Sequence, residues 1–226
     1  MSAAPSLRDR LEAVRAGIAE ASLEAGRNAS EITTIVVTKF HPASLVRELH
    51  SLGIRHVGES RHQEAGPKSA ELADLDLTWH FVGQLQSKKA RQVAGYARVI
   101  HSIDRESLSD ALRSDDRVVD AFVQVNLTAD DARGGVPVGG VEALAERVAA
   151  TSGVRLLGVM AVAPLGEEPR RAFVRLRETS ELVRAIEPAA TFISAGMSGD
   201  YREAILEGAT HLRIGSAITG NRPDAG

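Results

Sequence analysis

Ile32-Thr33-Thr34-Ile35-Val36-Val37-Thr38-Lys39 reads as a buried strand that ends on a cation. An unbroken run of β-branched residues is what a strand covered on both faces looks like, as in a parallel sheet. A lysine at the carboxyl end of such a strand stands where α/β folds place their active sites. Partial desolvation at such a position depresses a lysine's pKa, so that it can be the neutral amine that attacks an aldehyde to make a Schiff base. A lysine that only snorkels from the strand end into water leaves the same local pattern. The rest of the chain has to decide between the two.

Working outward, strand-like and helix-like segments alternate. Strands are predicted over 31–39, 56–60, 78–83, 99–104, 118–127, 154–163, 191–197 and 211–216, and helices between them, among others over 42–52, 87–97, 141–150, 168–186 and 201–207. Leu7, Leu11, Val14 and Ile18 fall at helical spacing between charged residues, so an amphipathic helix precedes the first strand. Eight strands with helical crossovers predict an α/β fold, a single (β/α)8 barrel spanning 1–226, with a doubly wound open sheet as the alternative topology. No linker, low-complexity tract or repeat divides the chain. The one loose stretch, 130–140, holds four glycines and a proline and reads as a loop on the active-site side after the fifth strand.

Composition narrows the function. Aromatic residues are only 4% against 43% hydrophobic residues in all, so the core is built from Val, Leu, Ile and Ala, which favours α/β over a sandwich. A net charge of -3 with dispersed basic residues leaves no electrostatic footprint for nucleic acid or an anionic membrane. The absence of cysteine excludes disulfides, thiolate zinc sites and cysteine nucleophiles. Arg8, Asp9, Arg10 and Glu12 stand where a signal peptide would be apolar, and the most apolar stretch, 156–165, is too short to span a bilayer and contains Pro164. A cytoplasmic location is expected.

Among motifs, the phosphate loop G-x-x-x-x-G-K-S/T, H-E-x-x-H and G-x-G-x-x-G are absent. Gly196-Met197-Ser198-Gly199 has its second glycine one residue too early for a nucleophile elbow, and no histidine and acid can be assigned to it. The seven histidines lack metal-ligand spacing, which leaves His80 and His101 as hydrogen-bonded core or rim residues. Ser194-Ala195-Gly196-Met197-Ser198-Gly199-Asp200 reads instead as an anion cradle between the seventh strand and the helix starting near Tyr201. Arg213-Ile214-Gly215-Ser216 places a second glycine and hydroxyl at the end of the next strand. The loops after strands seven and eight are the usual phosphate site of such barrels. With Lys39 closing strand one, the set suggests a phosphorylated aldehyde, pyridoxal 5'-phosphate (PLP).

Val37-Thr38-Lys39-Phe40-His41-Pro42, Gly58-Glu59-Ser60-Arg61-His62-Gln63-Glu64, Trp79-His80-Phe81-Val82-Gly83-Gln84-Leu85-Gln86-Ser87-Lys88-Lys89, Ile100-His101-Ser102-Ile103-Asp104, Ser194-Ala195-Gly196-Met197-Ser198 and Arg213-Ile214-Gly215 resemble, in order and over nearly the whole chain, the motifs of the pyridoxal phosphate homeostasis proteins. The resemblance implies a barrel like the N-terminal domain of alanine racemase, with PLP on Lys39 as an aldimine. It also implies phosphate contacts from Ser198, Gly215 and Ser216, and Arg213 facing the pyridine nitrogen. The family usually has Asn then Tyr after Gly-Glu, beside the cofactor, where this chain has Ser60 and Arg61. His41 replaces a second lysine two residues after the first.

A permanently charged guanidinium disfavours protonation of the pyridine nitrogen and weakens the ring as an electron sink. Racemisation needs acid/base groups on both faces of the substrate carbon. Alanine racemases take one of them from a tyrosine on a second, all-β domain of the partner subunit, for which this chain has no counterpart before Gly226. The expected function is therefore reversible carriage of PLP in vitamin B6 homeostasis without robust turnover. A monomer is expected, with PLP-dependent apoenzymes as candidate partners. A fold-type III racemase or lyase, and a barrel enzyme acting on a phosphorylated sugar or aldehyde without PLP, remain the alternatives.

Overall fold

The computed structural model describes residues 4–128, 130 and 133–221. In chain order the strands are β1 (Thr33–Val37), β2 (His56–Glu59), β3 (Thr78–Phe81), β4 (Val99–Ile103), β5 (Val119–Asn126), the two-residue β6 (Val136–Pro137), β7 (Val154–Met160), β8 (Phe192–Ser194) and β9 (His211–Ile214). Every pairing is parallel. β1 runs between β2, with Val36 beside Val57, and β9, with Ile35 beside Arg213. The order continues through β3 and β4 on one side and β8, β7 and β5 on the other, and the β4–β5 pairing closes the ring. Leaving aside β6, which adds to β5, this is the eight-stranded barrel that the sequence predicts, and the open sheet is ruled out.

The helices are α1 (Leu7–Glu24), α2 (Ala43–Ser51), α3 (His62–Glu71), α4 (Ala90–Ala94), α5 (Glu106–Leu112), α6 (Val141–Ala149), α7 (Pro169–Ile186), α8 (Tyr201–Leu206) and α9 (Ser216–Thr219). α1 starts with a capping box, in which Ser6 Oγ accepts from Asp9 N–H and Asp9 Oδ2 accepts from Ser6 N–H, so two orphan donors are satisfied together. It buries Leu7, Leu11, Val14 and Ile18 against α8 and α9, and Arg10 Nε donates to the Ile218 carbonyl at 2.7 Å.

Strand alternation sorts residues between two cores. Val36, Val57, Trp79, Phe81, Ile100, Leu212 and Ile214 pack in the layer between barrel and helices. The lumen is filled by a smaller group, Val99, Phe122 and Met160, and by an unusual number of polar side chains, namely His80, His101, Ser194, His211 and Arg213, all buried. Inward-facing Gly58 leaves room for its neighbours, since a Cβ there would meet the Ile35 side chain at 3.0 Å.

Several boundaries shift. The first strand stops at Val37 rather than 39 because the chain turns at Phe40, whose φ of 69° is left-handed. The seventh predicted strand is cut to Phe192–Ser194 by the turn through Gly196, at φ 90°. The helix expected over 87–97 is a 3-10 turn, Ser87–Lys89, followed by the short α4, so Tyr96 lies in a turn beyond it. Within the loop at 130–140, β6 and a 3-10 turn (Val138–Gly140) impose local order, while residues 129, 131 and 132 lie outside the described residues.

Candidate functional site

At the carboxyl ends of the strands, Val37, Lys39, Ser60, Val82, Val162, Met197, Ser198, Gly199, Arg213, Gly215 and Ser216 line one cavity of about 560 Å³. All six residues singled out from the sequence, Lys39, Ser60, Ser198, Arg213, Gly215 and Ser216, are brought together there. The volume lies within the usual range for small-molecule pockets. Another hollow, of about 340 Å³ between Arg91, Leu112, Arg117 and Val119, lies at the opposite end of the barrel, away from these groups.

Lys39 is exposed at the mouth rather than half-desolvated, a difference that follows from the early end of β1. Its backbone is nevertheless firmly held. Thr38 N–H donates to the Gly58 carbonyl, Phe40 N–H to Glu64 Oε2, and His41 N–H back to the Thr38 carbonyl. Beneath the turn, Lys68 of α3 reaches the same Thr38 carbonyl at 3.0 Å and Glu59 Oε1 at 2.6 Å, and Thr38 Oγ1 donates to that carboxylate oxygen at 2.8 Å. The Phe40 ring carries Lys39 Nζ at 5.9 Å from its centroid and the Arg61 guanidinium at 4.8 Å. Burial, and the positive charges of Lys68 and Arg10, lower the pKa of the neighbouring His41.

Across the cavity, Ser198 Oγ accepts from Ala217 N–H at 3.2 Å and ties the loop after β8 to the start of α9. Asp200 Oδ1 accepts from Met197 N–H at 2.6 Å and fixes the same loop. A Cβ on Gly199 would meet nothing within 4 Å, and one on Gly215 only Val37 at 3.8 Å, so both glycines leave the backbone open to a ligand. Gly83 has a different purpose. A Cβ there would sit 2.2 Å from the Ser60 carbonyl oxygen, so glycine lets the chain after β3 pass over Ser60.

Arg213 is buried in the lumen below the cradle. Its Nη1 donates to Ser194 Oγ at 2.7 Å and its Nη2 to the Ala161 carbonyl at 2.9 Å. Desolvation pulls its pKa down to about 10, with Asp200 acting in the opposite direction, which still leaves the guanidinium charged at neutral pH. His80 and His101, expected to be hydrogen-bonded core or rim residues, lie in the core, with His80 Nδ1 2.9 Å from His101 Nε2. Sequence reasoning missed the Glu59–Lys68 pair and the links from His101 to Ser194 and from His80 to His56. The only signal for the latter was strand alternation, which places these side chains inward.

An accessible amine, a glycine- and serine-lined cradle and a buried cation between them suit a flat ligand with an aldehyde at one end and an anion at another. The donor set therefore fits PLP. Fold and site together define a lysine-bearing parallel barrel of the alanine racemase type, and residues 8–223 match the family described as "Alanine racemase, N-terminal domain". With relatives of that name at up to 40% identity, the chain belongs to the pyridoxal phosphate homeostasis protein family. The Mycobacterium leprae protein so named is 40% identical, covering 95% of this chain and 92% of its own length. The PipY structure from Synechococcus elongatus, solved with PLP bound, superposes with a TM-score of 0.83 at 34% identity, covering 95% of this chain and all of that one. Alanine racemase from Corynebacterium glutamicum shares the fold at 15% identity and a TM-score of 0.72, with 96% of this chain matched to 63% of that one.

Proposed function

We propose that this protein binds PLP reversibly at the barrel mouth and takes part in the homeostasis of that cofactor, without robust turnover. The observation that carries the reading is the meeting of Lys39, Arg213, Ser198 and Ser216 around one cavity. Lys39 would supply the amine for the bound aldehyde, a condensation that releases water and that hydrolysis would reverse. An exposed amine suits both directions, since ligand and water reach it freely. Ser198, Gly199, Gly215 and Ser216 would hold the phosphate through hydroxyl and backbone donors, with Arg213 toward the ring nitrogen and Ser60 beside the ring. The whole chain, 1–226, acts as one binding unit, a monomer in the cytoplasm, and apoenzymes that need PLP are its recipients.

Two features support the absence of robust turnover. Racemisation needs a proton-transfer group on each face of the reacting carbon, and among the described residues the ionisable groups lining the cavity are Lys39 and Arg213. Tyr201 is directed to α1, where its hydroxyl closely overlies Gly17, and Tyr96 lies beside His62. Arg213, still charged at neutral pH, would also disfavour protonation of the ring nitrogen.

The test is the near-visible spectrum of the purified protein with PLP, followed by borohydride reduction and mapping of the modified residue. A band fixed onto Lys39, with no racemisation or product release from amino acids, is the expected result. Absence of any band after PLP addition would overturn the reading and favour a barrel acting on other phosphorylated substrates.

A further inference from the structure

Five side chains form a continuous hydrogen-bonded line through the lumen. Arg213 Nη1 lies 2.7 Å from Ser194 Oγ, and Ser194 Oγ 2.9 Å from His101 Nδ1. His101 Nε2 lies 2.9 Å from His80 Nδ1, and His80 Nε2 2.9 Å from His56 Nδ1. The line crosses from β9 and β8 to β4, β3 and β2, and ends at half-buried His56, the first residue of β2. Phe122 stacks on His101 with ring centroids 4.6 Å apart and keeps that imidazole in place.

Donor counting gives this line a direction. A guanidinium has no acceptor, so Ser194 Oγ must accept from Arg213. The serine hydroxyl then has one proton to give, and the acceptor within reach is His101 Nδ1. His101 consequently carries its proton on Nε2 and donates to His80 Nδ1, and His80 in turn donates from Nε2 to His56 Nδ1. The opposite polarity would leave the Ser194 hydroxyl proton buried without an acceptor, which is costly. Burial also lowers the pKa of both His80 and His101, which keeps the rings neutral as the line requires.

Among the described residues, no carboxylate forms an ion pair with Arg213. Its two acceptors, a hydroxyl and a carbonyl, are both neutral, and of the five guanidinium donors the bonds to Ser194 and Ala161 occupy two. A carboxylate at the position of the Ser194 hydroxyl would pair with the arginine and cancel its charge.

We propose that Ser194, His101, His80 and His56 are positioning residues that act through Arg213: a one-way hydrogen-bond line that aims the guanidinium without neutralising it, and so makes the site selective for a ring bearing a nitrogen acceptor. This inference rests on the PLP reading for the identity of the ring, although the line itself is a property of the free protein.

Two measurements test it. Imidazole 15N spectra of the ligand-free protein are expected to show His80 and His101 as neutral Nε2–H tautomers. Nδ1–H tautomers or imidazolium at either ring would overturn the proposal, whatever the ligand. The second measurement compares the affinity for PLP with that for its carba analogue, in which the ring nitrogen is replaced by C–H. Each ligand's adduct on Lys39 is mapped by borohydride reduction. The wild type is expected to prefer PLP, and folded Ser194→Ala to lose about tenfold of that preference, the scale of one weakened hydrogen bond. An unchanged preference in Ser194→Ala would overturn the proposal. Failure of PLP itself to mark Lys39 would instead defeat the PLP reading, while the tautomer result would still decide the line. Should Ser194→Ala not fold, the wild-type tautomers decide alone.

Discussion

Lys68 Nζ lies 2.6 Å from Glu59 Oε1, and both side chains are buried under the turn that presents Lys39. The pair links α3 to the end of β2, and the second bond from Lys68, to the Thr38 carbonyl, extends that link to β1. Removing one member leaves the other charge buried without compensation, which costs roughly 3–5 kcal/mol. Lys68→Met is therefore expected to lower the urea midpoint sharply. The double variant Lys68→Met/Glu59→Gln should recover a large part of the loss, because no bare carboxylate remains. Equal midpoints for Lys68→Met and the wild type would show that the pair does not hold the turn.

Lys39→Ala removes the covalent link and leaves only the cradle and Arg213. Charge-assisted contacts to the phosphate contribute about 1.5–3 kcal/mol each, against an association cost of roughly 4–15 kcal/mol. The variant should bind PLP at least about a hundredfold more weakly and develop no near-visible band. Equilibrium dialysis measures the first effect and absorbance the second. Wild-type affinity in the variant would contradict the role of Lys39.

Gly83→Ala drives a methyl group into the Ser60 carbonyl oxygen, 2.2 Å from the new Cβ. The obstruction is backbone and cannot rotate away, so the loops after β2 and β3 must separate, at about 1–3 kcal/mol. Because Ser60 lines the cavity, both stability and PLP affinity should fall. A thermal melt together with a titration checks this, and a change in stability alone would mean that Ser60 contributes nothing to binding.

The parts of the site that could be read from the chain are those at strand ends. Lys39 closes an unbroken β-branched run, and Ser198 and Gly215 lie in glycine-containing stretches at the ends of later strands, so all three read as barrel-mouth positions that the barrel's connectivity brings together. Ser60 rested on resemblance, since one serine after Gly58-Glu59 has no signature of its own. The Glu59–Lys68 pair was illegible because helical spacing gives the face of α3 but not its angle over β1. His80 and His101 could be placed inward, yet their junction with Ser194 depends on which strands meet across the lumen, which only the closed barrel determines. Left-handed Phe40 ended β1 early, where a non-glycine residue gave no warning.

The luminal histidines should make the fold sensitive to mild acid. Burial lowers the pKa of His80, His101 and His211, that of His211 to about 4, with His56 and Arg213 adding to the effect on the last. Below the unfolded value of about 6.5, the unfolded chain binds protons that the native barrel refuses. Stability is therefore fully present above that pH and is lost as pH falls, by about 1.4 kcal/mol per pH unit for each such group. For His211 the loss levels off near pH 4, after roughly 3 kcal/mol. Urea denaturation at pH 7.5 and 5.5 isolates the histidines, because carboxylates titrate mainly below that window. The midpoint should fall between the two, and His211→Gln should reduce the difference by about one histidine's share. Identical midpoints at both pH values would mean that the luminal imidazoles accept protons in the native state, and that the hydrogen-bonded line through them can be broken without loss of the fold.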